Sequence, residues 1–418
     1  MILVTLMFRY SFGEIKPNLI LAIFIGALIC FIAIPVYGLR DKGFVRGLGA
    51  AVGGGGWRGG LRQTFIFGLR QYVDLMHAEE LTQNVIKVLT RAGFMLSERC
   101  NIRPRSFDLA ARRKSILLLL RVFSNVDGLS AETARAMRTL SIYLHGSPLI
   151  IGSRSRNNAL EDGVAYFRHG IPSINIATLH DCVIEGVPPL AHAAPGGLYV
   201  KIDGERLKSV RTARSISLGE LAAELGISRR TVSKYENEEM DTSIDVVLRL
   251  EELLGSELIC PIRILSTAET VANRSERACA PGQLEQLEQP GRMGSPEHLE
   301  QPEYLEQNEV SLLLTPLGFL VFPAKRAPIS AVSDDSEHNM LLTGFSTYNR
   351  TMVRNAHLMS SISTVAGTKS VYIVKGRCRC TQIDGTAVIE ENELAKIDDH
   401  DDVVQLIRER SIDRGDMT

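Results

Sequence analysis

The stretch from Ser217 to Glu236 constrains the fold of this 418-residue chain most, because it encodes two short helices joined by a tight turn. Its first half places apolar residues at positions i, i+3, i+4 and i+7, which gives a helix one apolar face: Leu218, Leu221, Ala222 and Leu225. Gly226 suits a sharp turn, because glycine adopts a positive φ at little cost. Ser217 and Ser228 stand where a hydroxyl can cap each helix. These features predict a helix-turn-helix.

The second helix of this pair is predicted to be polar and basic on its outer side. Val232 and Tyr235 point inward at helical spacing, and five side chains are left facing out: Arg229, Arg230, Thr231, Ser233 and Lys234. In helix-turn-helix proteins the second helix enters the major groove of double-stranded DNA. We therefore predict that these five residues bind DNA, together with the capping residues Ser217 and Ser228.

Positive charge is concentrated around the helix pair. The whole chain has a formal net charge of −1, so it is not a polycation that attracts nucleic acid over its whole surface. Residues 204–234 contain seven lysines and arginines against three glutamates, a net charge of +4, whereas acidic residues dominate from Tyr235 to Glu252. A basic face beside an acidic flank favours docking on DNA in one orientation.

Flanking segments extend the helix pair into a small bundle over residues 203–262. A preceding helix from Gly204 to Arg214 has Leu207 at packing spacing and Arg211 at the surface, and a following helix begins after Ser243. The order of small and apolar residues over this region resembles the lambda Cro and repressor family, which implies sequence-specific DNA binding. The chain departs from that family at Leu218, where a glutamine often contacts a phosphate.

The first 75 residues differ in character from the rest of the chain. The uncharged apolar run 19–39 has 21 residues, which is long enough to span a bilayer. A glycine-rich stretch without any period follows it. We expect residues 1–75 to be an extension that the native protein lacks, with the start codon misplaced upstream of Met76. A membrane-tethered regulator is the alternative if the apolar run is genuine.

Residues 76–195 predict an α/β unit in the order helix, strand pair, helix, strand. Residues 116–120 are continuously apolar, as expected for a strand buried on both faces. The order resembles the restriction-endonuclease fold, in particular archaeal Holliday junction resolvases. The matching points are Glu80 in the first helix, Gly93-Phe94, a strand ending in Asp108 and a buried strand ending in Arg121.

The resemblance also predicts that nuclease chemistry is lost. In active members an Asp and a Glu-x-Lys pair bind a divalent metal, which needs several anionic oxygens. Asp108 stands where the first carboxylate would lie, but Leu119 and Arg121 occupy the places of Glu and Lys. We therefore expect no catalytic residues, no metal and no cofactor. A structure-selective DNA-repair nuclease or repair accessory factor is the alternative function.

The cysteines give no sign of a metal site or a disulfide framework. Seven are scattered along the chain, and only Cys378 and Cys380 are close together, without partners at zinc spacing. A dispersed, odd count suits a reducing compartment, so we predict a cytoplasmic protein.

Residues 263–308 are rich in Gln, Glu and Pro, which predicts a flexible linker. Beyond it, residues 309–410 repeat the first α/β unit in outline. Residues 317–322 match 92–96, and residues 328–332 match 107–111, with Ser330 in the place of Asp108. Residues 385–389 match 163–167, which gives similar spacings between equivalent glycines in the two regions.

The predicted fold class is therefore α/β plus all-α, with a lambda-repressor-like helix-turn-helix bundle between two nuclease-like α/β units. This order resembles a family of archaeal transcriptional regulators, with residues 101–111 and 186–197 carrying the resemblance outside the helix-turn-helix. It implies a non-catalytic, sequence-specific transcriptional regulator. We further expect a homodimer, because two recognition helices about 34 Å apart lengthen the DNA site. The α/β units could pair within one chain or between chains, and no small-molecule ligand is identifiable from the sequence.

Overall fold

The computed structural model describes residues 77–265, 309–335, 340–397 and 399–411. The predicted extension 1–75, its apolar run 19–39 and most of the predicted linker 263–308 lie outside the described residues. Within the described ranges, no helix is long and apolar enough to cross a membrane.

The first α/β unit is built around one mixed sheet. In chain order its elements are α1 (residues 77–91), β1 (Met95–Leu96), β2 (Leu109–Arg113), β3 (Ile116–Asn125), α2 (Ala131–Tyr143), β4 (Ser147–Ser155), β5 (Asn158–Ala159), β6 (Val164–Arg168), β7 (Ile171–Ile174) and α3 (Ile176–His180). The strand order is β1-β2-β3-β4-β7-β6, in which β4 runs parallel to both β3 and β7. The other pairs along this path are antiparallel.

Strand β3 is buried on both faces, as its continuous apolar run predicts. Leu118 packs in one core with Leu89 of α1, and Leu119 packs in the other core with Met137 of α2. Two predicted strand ends are wrong, because Asp108 precedes β2 instead of ending a strand, and β3 continues past Arg121 to Asn125. The parallel neighbour β4 pairs with β3 as far as Arg154, which extends β3 beyond its apolar part.

The helix-turn-helix follows on from the first sheet. Its elements are β8 (Ala191–Ala194), β9 (Gly197–Ile202), α4 (Gly204–Ala213), α5 (Leu218–Leu225), α6 (Arg229–Glu236), β10 (Thr242–Ser243), α7 (Ile244–Leu254) and β11 (Ile259–Cys260). Strand β8 pairs with β6, and β9 pairs with β8, β10 and β11. The four helices are therefore joined to the α/β unit by a continuous sheet.

The segment after β11 belongs structurally to the first α/β unit. The amide of Ile262 donates to the carbonyl of Pro189 at 2.8 Å, and Ile264 is buried in the core that includes α1. The predicted linker boundary at residue 263 is therefore too early, because residues 263–265 are held by this packing. The sequence did not reveal this contact, since its partners lie far apart along the chain.

The second α/β unit has the same strand order as the first. Its elements are α8 (Glu309–Leu314), β12 (Leu320–Pro323), β13 (Ala331–Asp334), β14 (Met340–Thr347), α9 (Arg350–Ala366), β15 (Lys369–Lys375), β16 (Gln382–Ile383), β17 (Thr386–Glu390), α10 (Glu391–Leu394) and α11 (His400–Ser411). The order β12-β13-β14-β15-β17-β16 repeats both the sequence of strands and their directions.

Ser330 occupies the place of Asp108, as predicted. The amide of Asp108 donates to Leu120 and its side chain accepts from the amide of Val122 at 2.8 Å. In the second unit the amide of Ser330 donates to Thr343, and its hydroxyl accepts from the amide of Phe345 at 3.0 Å. Each residue therefore makes the same two contacts with its neighbouring central strand.

The predicted match between residues 385–389 and 163–167 is wrong by one strand. Strand β17 takes the position of β7, not of β6, in the common strand order. Gly385 is therefore equivalent to Gly170, and each glycine closes a two-residue hairpin after a residue that also has positive φ, Asp384 or His169. Two positive φ angles characterise the type I′ turn that favours glycine at its second position. The similar glycine spacings in the sequence therefore do not reflect equivalent positions, because Gly163 and Gly385 lie in different turns.

The two α/β units pack against each other within the chain, and the contacts are reciprocal. Helix α2 faces the second unit, where Tyr143 stacks on Phe322 with ring centroids 4.5 Å apart. Helix α9 faces the first unit, where the hydroxyl of Ser361 accepts from the amide of Glu98 at 2.6 Å. One hydrophobic core contains residues from both units. Of the two pairings left open by the sequence, the chain makes the internal one.

Packing of α4 against α6 depends on the absence of a side chain at Gly204. A Cβ at this position would lie 2.5 Å from the carbonyl oxygen of Glu236. We expect Gly204→Ala to lower the free energy of unfolding by about 1–3 kcal/mol, because overpacking forces the backbones apart. Thermal denaturation should show a lower midpoint. Gly128→Ala is the matched control, since its Cβ would meet Phe123 at an ordinary 3.8 Å; equal midpoints for both variants would contradict the close approach.

Candidate nucleic-acid interface

The start of α5 is fixed by a reciprocal capping arrangement. The hydroxyl of Ser217 accepts from the amide of Glu220 at 3.1 Å, and the Glu220 carboxylate accepts from the amide of Ser217 at 2.7 Å. Hydrogen bonds from the backbone and side chain of Ser217 hold the pKa of Glu220 below its ordinary value. These bonds satisfy amides that the first helical turn leaves without partners. Ser217 therefore acts as the predicted N-cap.

The turn and the second helix also form as the sequence predicts. Gly226 ends α5 with φ 69°, and the hydroxyl of Ser228 accepts from the amide of Thr231 at 3.1 Å to begin α6. Val232 and Tyr235 are buried among the helices of the bundle. The short turn holds the first residues of α6 close to α5, so the outer side of α6 faces away from the core.

The predicted DNA-binding residues lie at the N-cap of α5, at the N-cap of α6 and on α6. Ser217, Ser228, Arg229 and Arg230 are exposed, whereas three residues farther along α6 are half-buried: Thr231, Ser233 and Lys234. Arg230 has no hydrogen-bond or ion-pair partner in the part of the chain that the structure describes. Its guanidinium is therefore available at the N-terminal end of the helix.

Arg229 lies across the first turn of α5. A Cβ on Gly219 would lie 2.6 Å from both Nε and Nη2 of Arg229, so the guanidinium covers the backbone there. This place is next to Leu218, where the sequence lacks the glutamine of the related family. The sequence could not reveal this position, because it depends on the side-chain direction across the turn and on the missing side chain of Gly219.

The acidic flank of α6 is tied to cations on neighbouring elements. Arg211 was predicted at the surface, but it forms an ion pair with Glu236 at 2.5 Å, and their side chains are only 12% and 6% exposed. Glu238 pairs with Lys201 of β9 at 3.2 Å. These contacts hold the C-terminal end of α6 against α4 and β9, so part of the negative charge that adjoins the basic face is compensated.

Asp108 occupies an internal ion cluster in the first α/β unit. Its carboxylate is 2% exposed, contacts the guanidinium of Arg105 and lies 3.4 Å from Nη1 of Arg121. Burial lowers the pKa of Arg121, and the charge of Asp108 opposes this effect. Two cations thus surround the single carboxylate. Among the described residues, no group of three or more His, Cys, Asp or Glu side chains could hold a metal ion.

The fold and the site together define a class of protein: a helix-turn-helix protein whose DNA-reading helices are joined to a nuclease-like α/β domain. The profile of the PD-(D/E)XK superfamily domain matches residues 78–189, and the helix-turn-helix profile matches residues 207–259. The predicted resemblances of both regions are therefore confirmed. No solved structure matches the chain.

Curated relatives extend over most of the chain. A protein of Methanosarcina barkeri is 48% identical over 335 residues, which cover 80% of this chain and 98% of the relative. Proteins of Methanocella arvoryzae and Halobacterium salinarum are 44% and 42% identical, and the matches cover 81% and 82% of this chain and 99% of each relative. All three carry the name "Putative HTH-type transcriptional regulatory protein". The chain belongs to this archaeal family, as its resemblance predicted.

Removal of Asp108 tests whether the ion cluster is structural. Asp108→Ala would leave the guanidiniums of Arg105 and Arg121 partly buried without their carboxylate and would take the acceptor from Val122. We expect a loss of about 3 kcal/mol in the free energy of unfolding, because breaking a buried pair leaves uncompensated charge. Urea denaturation measures this loss. The double variant Asp108→Ala/Arg121→Met should recover part of it, whereas wild-type stability of the single variant would refute a structural role.

Proposed function

We propose that this protein is a sequence-specific transcriptional regulator that binds double-stranded DNA through α5 and α6. The observation that carries the proposal is the exposed basic start of α6, with Arg229 and Arg230, on a helix-turn-helix whose caps and core are complete. The printed names of the relatives agree with this assignment. In this proposal α6 enters the major groove and the capped start of α5 lies near the phosphate backbone.

The two arginines have different surroundings, which supports different roles. Arg230 is exposed and has no partner among the described residues, as a base-reading side chain requires. Arg229 lies over Gly219 at the start of α5, where it can contact a phosphate in place of the side chain that Leu218 does not provide. Lys234, one turn farther along α6, adds a further phosphate contact. Ser217, Ser228, Thr231 and Ser233 complete the proposed surface.

We also propose that two chains bind one operator. A single helix-turn-helix contacts few base pairs, and two-fold symmetry is the common way to place two of them about 34 Å apart. Since the α/β units already pair inside each chain, the homodimer contact lies on a surface that this pairing leaves open. Genome-wide mapping of occupied sites would then recover an inverted repeat with half-sites about one helical turn apart.

The nuclease-like domain is proposed to be non-catalytic. Its one carboxylate at the expected place is bound by two guanidiniums, and Leu119 is fully buried where a second carboxylate would be needed. A hard divalent cation requires several oxygen ligands, and positive side chains repel it. The alternative, a structure-selective repair nuclease, draws support from the superfamily match over residues 78–189.

Substitutions on α6 test the DNA-binding surface. We expect Arg230→Ala to reduce discrimination at one operator position by about 1–3 kcal/mol, because a base-edge contact is lost. Lys234→Ala should weaken binding to all sequences alike. It should also reduce the slope of log K against log salt concentration by about one. Fluorescence anisotropy with operator and scrambled duplexes at several salt concentrations measures both effects.

The control for these variants is Arg91→Ala, which removes an exposed cation from the end of α1. It should leave both affinity and salt slope unchanged. The double variant Arg229→Ala/Arg230→Ala provides the decisive result. If it binds the operator as tightly as the native chain does, α6 is not the recognition helix.

Cleavage assays separate the two candidate functions. We expect the purified chain to leave duplex, single-stranded and four-way-junction DNA intact in the presence of magnesium or manganese, because Asp108 has no second carboxylate beside it to share a metal. Denaturing gel electrophoresis of end-labelled DNA gives the measurement. Cutting that disappears in Asp108→Ala, in a variant that still binds DNA, would instead establish the nuclease.

A further inference from the structure

A groove of about 1010 Å³ lies between the first α/β unit and the strands that carry the helix-turn-helix. One wall is α2, a second is the hairpin between β6 and β7, and the third is formed by β8, β9 and the segment after β11. Its volume is at the upper end of the range of small-molecule sites. A groove of this volume suits a small ligand.

The groove is strongly basic. Four cationic side chains line it, namely Arg135, Arg138, Lys201 and Arg263. Asp241 is the single carboxylate among the lining residues. Asp241 lies 3.4 Å from Nε2 of His192, so its charge is directed at that ring. With the histidines neutral, the lining residues have a net charge of +3, although Lys201 is paired with Glu238 outside the lining. An anion would be attracted here, and several close cations without an anion repel one another.

Three of these cations lack an internal partner. Arg135, Arg138 and Arg263 have neither a hydrogen bond nor an ion pair with any described residue. By contrast, four other arginines of the first unit contact carboxylates: Arg99, Arg105, Arg121 and Arg168. Guanidiniums present planar pairs of donors that match phosphate oxygens. Their convergence from two separate elements indicates a site for phosphate groups.

The backbone that carries each of these arginines is held in place. Arg135 and Arg138 are three residues apart on α2, so they share one helix face. Nη1 of Arg138 lies 3.0 Å from the place of a Cβ on Gly170, which brings this guanidinium against the turn of the β6–β7 hairpin. Arg263 is fixed by the packing of Ile262 and Ile264 on either side of it. The backbone positions of the three arginines are therefore fixed around the groove.

An aromatic ring lies beside the cations. Phe167 lines the same groove near the end of β6 and is 44% exposed. An exposed ring supplies a flat apolar surface on which a planar base can stack. Unpaired guanidiniums beside such a ring match the two halves of a nucleotide, namely its phosphates and its base.

We propose that this groove binds a nucleotide, with its phosphates on Arg135, Arg138 and Arg263 and its base on Phe167. The ligand would contact α2 of the α/β unit and the strands β8 and β9 of the helix-turn-helix region at the same time. Any ligand with different affinity for two arrangements of these elements shifts the balance between them. The groove is then an effector site for the DNA-binding surface. This regulatory role rests on the proposed function, whereas nucleotide binding does not depend on it.

Isothermal titration calorimetry of the full chain without DNA tests binding directly. The probes are ATP, inorganic pyrophosphate and adenosine. We expect ATP and pyrophosphate to bind with one site per chain and adenosine to bind too weakly to measure. Arg135→Gln/Arg138→Gln should weaken ATP binding at least tenfold, and Arg263→Gln provides an independent variant from another element. Phe167→Ala should weaken ATP but not pyrophosphate.

The matched control is Lys87→Gln/Arg91→Gln, which removes two exposed cations from α1, outside the groove. It should bind ATP like the native chain, and thermal denaturation should show that every variant is folded. Absence of ATP and pyrophosphate binding at millimolar concentration overturns the proposal, as does unchanged binding by the double arginine variant. If that variant instead loses affinity for all DNA sequences in the absence of nucleotide, the groove contacts the DNA backbone and the nucleotide assignment is wrong. Failure of DNA binding altogether would leave the calorimetric result unaffected.

Discussion

Packing between α2 and α9 supports the rest of the structure, because one apolar core lies between the two α/β units and belongs to both. Met137 of α2 and Met359 of α9 are fully buried in that core, together with Leu119 and Leu342 of the central strands. Either unit alone would expose this surface to water, at a cost that scales with its apolar area. The unit that carries the helix-turn-helix is thus stabilised by residues that follow it in the chain.

Strand β9 transmits this support to the DNA-binding helices. It pairs with β8 on the side of the α/β sheet and with β10 and β11 on the side of the helices. Asp203, at its end, caps α4 and also donates its amide to Leu258 after α7. Because hydrogen bonds run without a break from β4 to β10, the orientation of α6 depends on the sheet rather than on a linker.

The features predicted correctly from the sequence are those set by neighbouring residues. Local spacing within one or two helical turns determines the caps at Ser217 and Ser228, the turn at Gly226 and the inward side chain of Val232. The errors concern partners that are distant along the chain. Glu236 draws Arg211 inward across 25 residues, and the short strands around Gly385 lack a pattern that distinguishes one side of a hairpin from the other.

Internal pairing of two similar units has a consequence for symmetry. In an assembly of identical subunits, a substitution at one position appears in both halves, so the halves cannot specialise separately. Covalent linkage removes that restriction. One half keeps the acidic residue Asp108 while the other has Ser330, and the reading helices are attached to the first half alone. The two α/β units of one chain can therefore diverge independently of each other. Each pair of units carries one helix-turn-helix.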